Sequence, residues 1–539
     1  MRTLVIGSDV VRLPYSLRLS KYDRIVDLAG IKISRPFRGR YERESFSVEG
    51  IEMRAYTLAN VFLSDKTESE DMKNSVVKQL SLFRGAFFHL AVMEWYFAHC
   101  KKCQVDLVTG LSIGDLQTLP IFQKLEVGRM IRTRYSSLYV DALKQIGECV
   151  INRTVRFLGR KRTVCHQEWL ILAFTKTAWS IVEPLAAKLK KDDWSLCVRN
   201  NVLNSRKRAF VSWLKMKQIK FSYLLDFPGW HTLLNGWYVC LGNLDLRKLC
   251  RTARLEFHRK VNFWERVLIT SPPKRIIMLE EFLDTSNVLN FVRNRNNWDI
   301  KLINFMHGSG YYNGITPVDF FGVFGTLFEE KYIEMGNAEN NIVVTGTSAI
   351  LPIDQAKVYT LDDMDPLAKH IAGRPVLTYF SQYNRGSSSE AIRSRIASWL
   401  DEFCRNNNVA LVIKLHPAER QNIFTDCKAV VVQNEYPLEL FFNISKVCST
   451  FYSFAGIQAV FGGCPALFIN PYGIPGLYMV DHLQEFQVCE KDELFRRLSS
   501  LMFSNAGRSV YLEKQQEVLN DFFAVPLDAE TIVFELKNL

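Results

Sequence analysis

From residue 275 onward the chain alternates short apolar runs with helical stretches, and this alternation narrows the available folds most. The runs fall at 275–279, 301–306, 320–324 and 341–346, with a helical stretch at 280–295. A strand covered on both faces has no polar side, so it reads as a continuous apolar run. Joining such strands in parallel requires crossovers, usually helical. A second series opens after Pro375, with runs at 376–380, 410–415, 429–433, 446–449 and 466–470 and helical stretches at 389–406 and 453–461. The expectation is an α/β fold with two Rossmann-like parallel-sheet domains facing a cleft. Residues 350–373, with Pro352, Pro366 and an aspartate-rich patch, read as the linker, which gives domains at 1–349 and 374–539.

The first half is less regular. Residues 3–7, 25–29 and 105–109 look like short buried strands, 64–74 like an exposed loop, and about 75–265 like mostly helix. The net charge of +12 is concentrated there, because residues 151–270 hold 23 basic and 8 acidic side chains. Arg160-Lys161-Arg162, Lys190-Lys191, Arg206-Lys207-Arg208, Lys215, Lys217 and Lys220 are interleaved with tryptophans, among them Trp169, Trp194 and Trp213. A basic helical region at 130–265 is therefore expected as an insertion. It would present either solvated helix faces or a surface for a polyanion such as nucleic acid, an acidic glycan or anionic lipid headgroups.

A content of 48% apolar and 23% charged residues excludes general disorder. The longest mostly apolar stretch, 85–98, contains His89 and Glu94 and is too short to span a bilayer. The first residues read as a strand entering a loop rather than a signal peptide, so a cytoplasmic location is expected. The twelve scattered cysteines read as small hydrophobes, and Cys100 and Cys103 lack a second pair at zinc-ligand spacing.

Ligands of parallel sheets sit beyond the carboxyl ends of strands. Four such ends carry chemistry. His307-Gly308-Ser309-Gly310 places an imidazole after a strand, followed by glycines that admit a ligand to the backbone. Ser381 and Gln382 open a polar loop. Lys414 and His416 share a face of an extended strand, and Pro417 ends its pairing. Ser449, Thr450 and Ser453 lie where a strand gives way to a helix, with Gln458 one turn further on. A phosphate suits such a helix start, and Ser453 also fits as an N-cap. Glu280 and Glu281, after the 275–279 run, read as first-turn acids or as a base. Asp363-Met364-Asp365 has the form of a metal–diphosphate site, but it lies in the linker beside Pro366.

Taken together, His307-Gly308, 341–346, Lys414-Leu415-His416-Pro417 and the run from Ser453 through Gln458-Ala459 to Pro465 resemble GT-B glycosyltransferases. The group is the one that builds bacterial surface polymers: capsule and Kdo transferases, polysialyltransferases and CDP-glycerol glycerophosphotransferases. The resemblance covers about 270–500. It implies a nucleotide donor held mainly by the C-terminal domain and no catalytic metal or other cofactor. It also implies His307 as base, Lys414 and His416 on the donor phosphate, and Ser449, Thr450 and Ser453 as the phosphate-receiving motif. Gln458 departs from the acidic residue usual at that position. The expected activity is sugar transfer, inverting by resemblance, from a cytidine- or uridine-linked donor such as CMP-Kdo or CMP-sialic acid. The expected acceptor is a surface polysaccharide or lipid-linked glycan, with peripheral contact to anionic inner-membrane lipids and no nucleic acid partner. The competing readings are a nucleotide-sugar epimerase or hydrolase on the same fold, and a polyanion-binding protein with an inactive GT-B half.

Overall fold

The computed structural model describes residues 3–6, 21–27, 40–43, 54, 58, 70–81, 86–99, 105–109, 127–132, 168–173, 176–199, 205–224, 246–269, 272–279, 284–306, 315–347, 361–362, 365–382, 390–416, 419, 423–433, 435–451, 453–471, 483–524 and 526–539. Among these, all strand pairings are parallel and form three sheets.

The first sheet holds β1 (Thr3–Ile6), β2 (Arg24–Asp27), β3 (Arg40–Arg43), β4 (Val105–Thr109) and β5 (Val127–Arg132) in the order β3-β2-β1-β4-β5. Helices α1 (Glu70–Ser81) and α2 (Ala86–His99) lie between β3 and β4 in the chain. The second sheet holds β6 (Trp169–Leu172), β7 (Trp194–Arg199), β8 (Ser222–Leu224), β9 (Arg275–Met278), β10 (Lys301–Phe305), β11 (Phe320–Val323) and β12 (Ile342–Val344). Their order is β12-β11-β10-β9-β6-β7-β8. Its helices are α3 (Lys176–Lys188), α4 (Ser205–Met216), α5 (Leu246–Leu268), α6 (Thr285–Asn296) and α7 (Thr326–Glu334). After α8 (Pro366–Ile371) comes the third sheet, with β13 (Val376–Phe380), β14 (Ala410–Lys414), β15 (Ala429–Val432), β16 (Val447–Thr450), β17 (Ala466–Ile469) and β18 (Gln487–Val488). Their order is β15-β14-β13-β16-β17-β18, with α9 (Glu390–Asn406), α10 (Leu438–Ile444), α11 (Phe454–Phe461), α12 (Lys491–Phe503) and α13 (Asn505–Asn520) around them. Helix α14 (Ala529–Asn538) closes the chain.

The expected α/β class with two Rossmann-like parallel sheets is what the second and third sheets provide. The first sheet precedes them. Residues 75–265 are not simply helical, because β6, β7 and β8 widen the second sheet there. The runs Trp169-Leu170-Ile171-Leu172 and Trp194-Ser195-Leu196-Cys197 are buried strands, and so short an apolar run does not by itself distinguish strand from helix. Among the described residues of that region, the basic ones fall mainly on α4, α5 and the turns between elements.

In each sheet the strand order reverses at one place: β1/β4, β9/β6 and β13/β16. On one side of the second sheet α3 and α4 share a core with Ile532, Val533 and Leu536 of α14. On the other side α5 and α6 pack in the larger core. The last helix therefore returns to the second sheet, where Arg275 Nε donates to the Leu536 carbonyl at 2.7 Å. Helix α1 packs against α5 and α6, tying the first unit to the second. Ser75 donates to buried Asp284 at 2.6 Å, and Lys260 pairs with the same carboxylate at 2.5 Å. Cys197, Cys250, Cys404, Cys448 and Cys464 are buried thiols, and burial pushes the Cys404 and Cys448 thiols up.

Candidate functional site

The switch point of the third sheet gathers most of the described candidates. Phe380 stands in register with Lys414 on one side and Thr450 on the other. The chain therefore leaves β13, β14 and β16 at one level, carrying Ser381 and Gln382, His416 and Ser453 to a common carboxyl edge. A crevice at such a point is where doubly wound sheets bind ligands.

The hydroxyls in this motif have different duties. Ser449 and Thr450 are fully buried, and their side chains donate to the carbonyls of Thr378 at 3.3 Å and Phe380 at 3.0 Å. They join β16 to β13. Thr450 Oγ1 also accepts the Ser453 N–H at 3.1 Å, which sets the turn into α11. Ser453 is the N-cap of α11, accepting from Ala455 N at 3.3 Å. The helix start with its positive dipole end, rather than the strand hydroxyls, is what this motif offers an anion.

Gly456 lets α11 seat closely. A Cβ there would stand 2.8 Å from Thr450 Cγ2 and 3.3 Å from Phe468 Cε1. Gly456→Ala is expected to destabilise the protein by about 1–3 kcal/mol through overpacking, read as a lower urea midpoint at unchanged slope.

Sequence reasoning passed over Glu419, which organises the loop beyond β14. Its carboxylate accepts the Ser381 hydroxyl at 2.8 Å and the His416 N–H at 2.6 Å, and pairs with Arg393 of α9. Its own N–H donates to the His416 carbonyl at 2.9 Å. Gln433 Nε2 donates to the Glu419 carbonyl at 2.8 Å. One buried acid thus joins the ends of β13 and β14. The only signal for it in the sequence was a Glu three residues after His416.

The Lys414 ammonium donates to the carbonyls of Leu415 at 3.2 Å and of Gln433. Burial holds its pKa below the usual lysine value, against the opposing pull of Glu435 and Glu419. Asp365 caps α8 through Leu367 N at 2.7 Å and accepts the Tyr436 hydroxyl at 2.6 Å. That bond holds the Asp365 carboxyl low and pushes the Tyr436 hydroxyl up to about 12. Asp365 is thus engaged as a helix cap, while Asp363 lies outside the described residues. So do Glu280, Glu281, His307 and Gly308, and with them the Cys100/Cys103 pair.

The carboxyl edges of the second and third sheets come together at Phe523. This ring lies 5.9 Å from Phe324 and 6.0 Å from Phe328, beyond β11, and 5.8 Å and 6.0 Å from Phe454 and Phe461 of α11. The helix start that Ser453 caps is therefore held beside the end of the second sheet, where the strand that precedes His307 also finishes.

No protein-family model matches the chain, and no curated protein matches it. Solved structures do resemble it. A protein from Listeria monocytogenes assigned as a UDP-N-acetylglucosamine 2-epimerase shares 12% identity at a TM-score of 0.49, covering 70% of this chain and 97% of that one. The UDP-GlcNAc 2-epimerase from Neisseria meningitidis, bound to UDP-GlcNAc, gives 13%, 0.47, 69% and 100%. The lipopolysaccharide outer core galactosyltransferase WaaB gives 11%, 0.41, 68% and 99%.

Proposed function

We propose that the chain is a nucleotide-sugar transferase of the GT-B kind, metal-independent, with the donor's phosphate seated at the switch point of the third sheet. The observation that supports this reading is the common register of β13, β14 and β16, which brings Ser381, His416 and the start of α11 to one carboxyl edge. The start of α11 and the Lys414 charge on the far side of β13 would stabilise the negative charge of the leaving phosphate, and His416 would donate to it. His307, or Glu280 or Glu281, would take the proton of the acceptor hydroxyl from the second-sheet side. The acceptor class proposed is a surface polysaccharide or a lipid-linked glycan, and the donor class a cytidine- or uridine-linked sugar.

Thermal unfolding with CMP, CDP, UDP and GDP tests the donor seat. A nucleotide at about a hundred times its Kd should stabilise the fold by about 2.7 kcal/mol. The upward shift should shrink in His416→Ala and Ser453→Ala and persist in His307→Ala, which should instead lose turnover. A full nucleotide shift in both donor-side variants would remove the proposed seat. Donor consumption that continues undiminished without any acceptor would make the protein an epimerase or hydrolase.

A further inference from the structure

In a parallel sheet the turns that enter the strands lie at the amino edge, opposite the carboxyl edge that carries the candidate site. In the second sheet the turns entering β7, β8 and β9 bear Lys190 and Lys191, Lys217 and Lys220, and Lys274, with Lys215 near the end of α4. All six are exposed. The strand order sets β9, β6, β7 and β8 side by side, so these turns share one stretch of edge about 15 Å long at ~4.8 Å per strand. The acids near it are Glu168, already bridged to Arg275 at 3.1 Å and Lys274 at 3.7 Å, Asp192 and Asp193, Glu265 in the last turn of α5, paired with Arg295 at 3.4 Å, and Asp299 before β10, 3.5 Å from Lys301.

Cations at helix carboxyl ends are ordinary, because they complement the dipole. The apolar side chains beside them are not explained that way. Met216 is 70% exposed and Ile269 67%, the two most exposed large apolar side chains among the described residues. Met216 ends α4, on one side of the sheet, and Ile269 follows α5, on the other. Both stand at the same edge as the lysines.

We propose that this amino edge of the second sheet docks on an anionic lipid surface, with the lysines over the headgroups and Met216 and Ile269 entering the interface. Acidic lipid attracts such a cluster by charge, and protruding apolar side chains add a contribution that a water-soluble polyanion cannot use. The edge is the end of the second sheet opposite the carboxyl edge that meets the third sheet, so the inference stands apart from the donor reading.

Co-sedimentation of the full chain with vesicles tests it. The protein should pellet with phosphatidylcholine vesicles containing about three tenths phosphatidylglycerol and stay in the supernatant with phosphatidylcholine alone. Lys215→Gln/Lys217→Gln/Lys220→Gln should weaken binding about a hundredfold, at roughly fivefold per lysine. Met216→Ser/Ile269→Ser should weaken it about tenfold. All five positions are exposed, so melting temperature and nucleotide-induced shift should match the parent, which keeps this outcome separate from that of the nucleotide experiment. Failure to pellet with acidic vesicles would overturn the proposal. So would an undiminished affinity in the Met216/Ile269 variant, which would leave the lysines to a soluble acidic polymer.

Discussion

Glu419→Ala is expected to destabilise the protein by about 3–5 kcal/mol, because it strands the Arg393 guanidinium in a nearly buried position without its counter-charge. The same change deprives the Ser381 hydroxyl and the His416 N–H of their acceptor, each a further desolvation cost of about 1–3 kcal/mol where no water reaches. These terms overlap, so the ion-pair figure bounds the effect better than their sum. Glu419→Gln keeps the shape and one acceptor oxygen and should cost less, with the loss concentrated in the pairing with Arg393. In Arg393→Met/Glu419→Gln the stranded charge is gone, so the double variant should recover part of the stability that Glu419→Gln loses. Urea titrations of the three variants measure this. If Glu419 also sets the site, nucleotide affinity should fall about tenfold or more in Glu419→Gln under conditions where it remains folded, since a misplaced loop loses preorganised contacts. Affinity equal to that of the parent in folded Glu419→Gln would confine the residue to stability.

How much of this could be read beforehand varies with the range of the forces involved. The strand Val376–Phe380 was legible to the residue, because a fully buried parallel strand bounded by Pro375 and Ser381 has no competing pattern. The cap at Ser453 was legible because it depends only on the next two residues. Strands β6, β7 and β8 were not, since their short apolar runs sit among lysines and arginines that suggest amphipathic helix. Strand β3, Arg40-Tyr41-Glu42-Arg43, has no apolar run at all and is assigned by pairing with β2. Glu419 was missed for a related reason. Between Ala418 and Arg420 it has the look of a solvated loop acid, and only Arg393, 26 residues away, and Ser381, 38 residues away, make it a buried one. Ser449 and Thr450 show the converse. Their hydroxyls suggested ligand contacts, yet both are fully buried and donate to carbonyls of β13. Local chemistry is written in neighbouring residues, while burial is a property of the assembled sheet.

The largest effect expected away from the site is at Phe523, where the second and third sheets are joined. The segment just before α14 runs along the carboxyl edge of the second sheet: Ala524 N donates to the Phe324 carbonyl at 2.8 Å and Leu527 N to the Thr345 carbonyl at 3.0 Å. Two glycines accept it. A Cβ on Gly325 would run into the Phe522 carbonyl group, and one on Gly346, at φ +65°, would stand 2.7 Å from the Ala524 oxygen. Phe523→Ala removes a buried ring that packs against Phe324 and Phe328 beyond the second sheet and Phe454 and Phe461 of α11, and should cost about 3–5 kcal/mol. Gly325→Ala leaves every ring in place but must lift the backbone at 522–523, since no flexible side-chain end can give way there. A loss of at least about 1–3 kcal/mol is expected from that displacement alone. The two variants separate cavity from strap. If the strap orients α11 toward the second sheet, both should lower turnover more than nucleotide binding, because the proposed donor seat lies within the third sheet while the proposed acceptor side belongs to the second. Equal losses of binding and turnover would show that Phe523 acts on the donor seat itself, and unchanged turnover in folded Gly325→Ala would remove the strap from any role in bringing the two edges together.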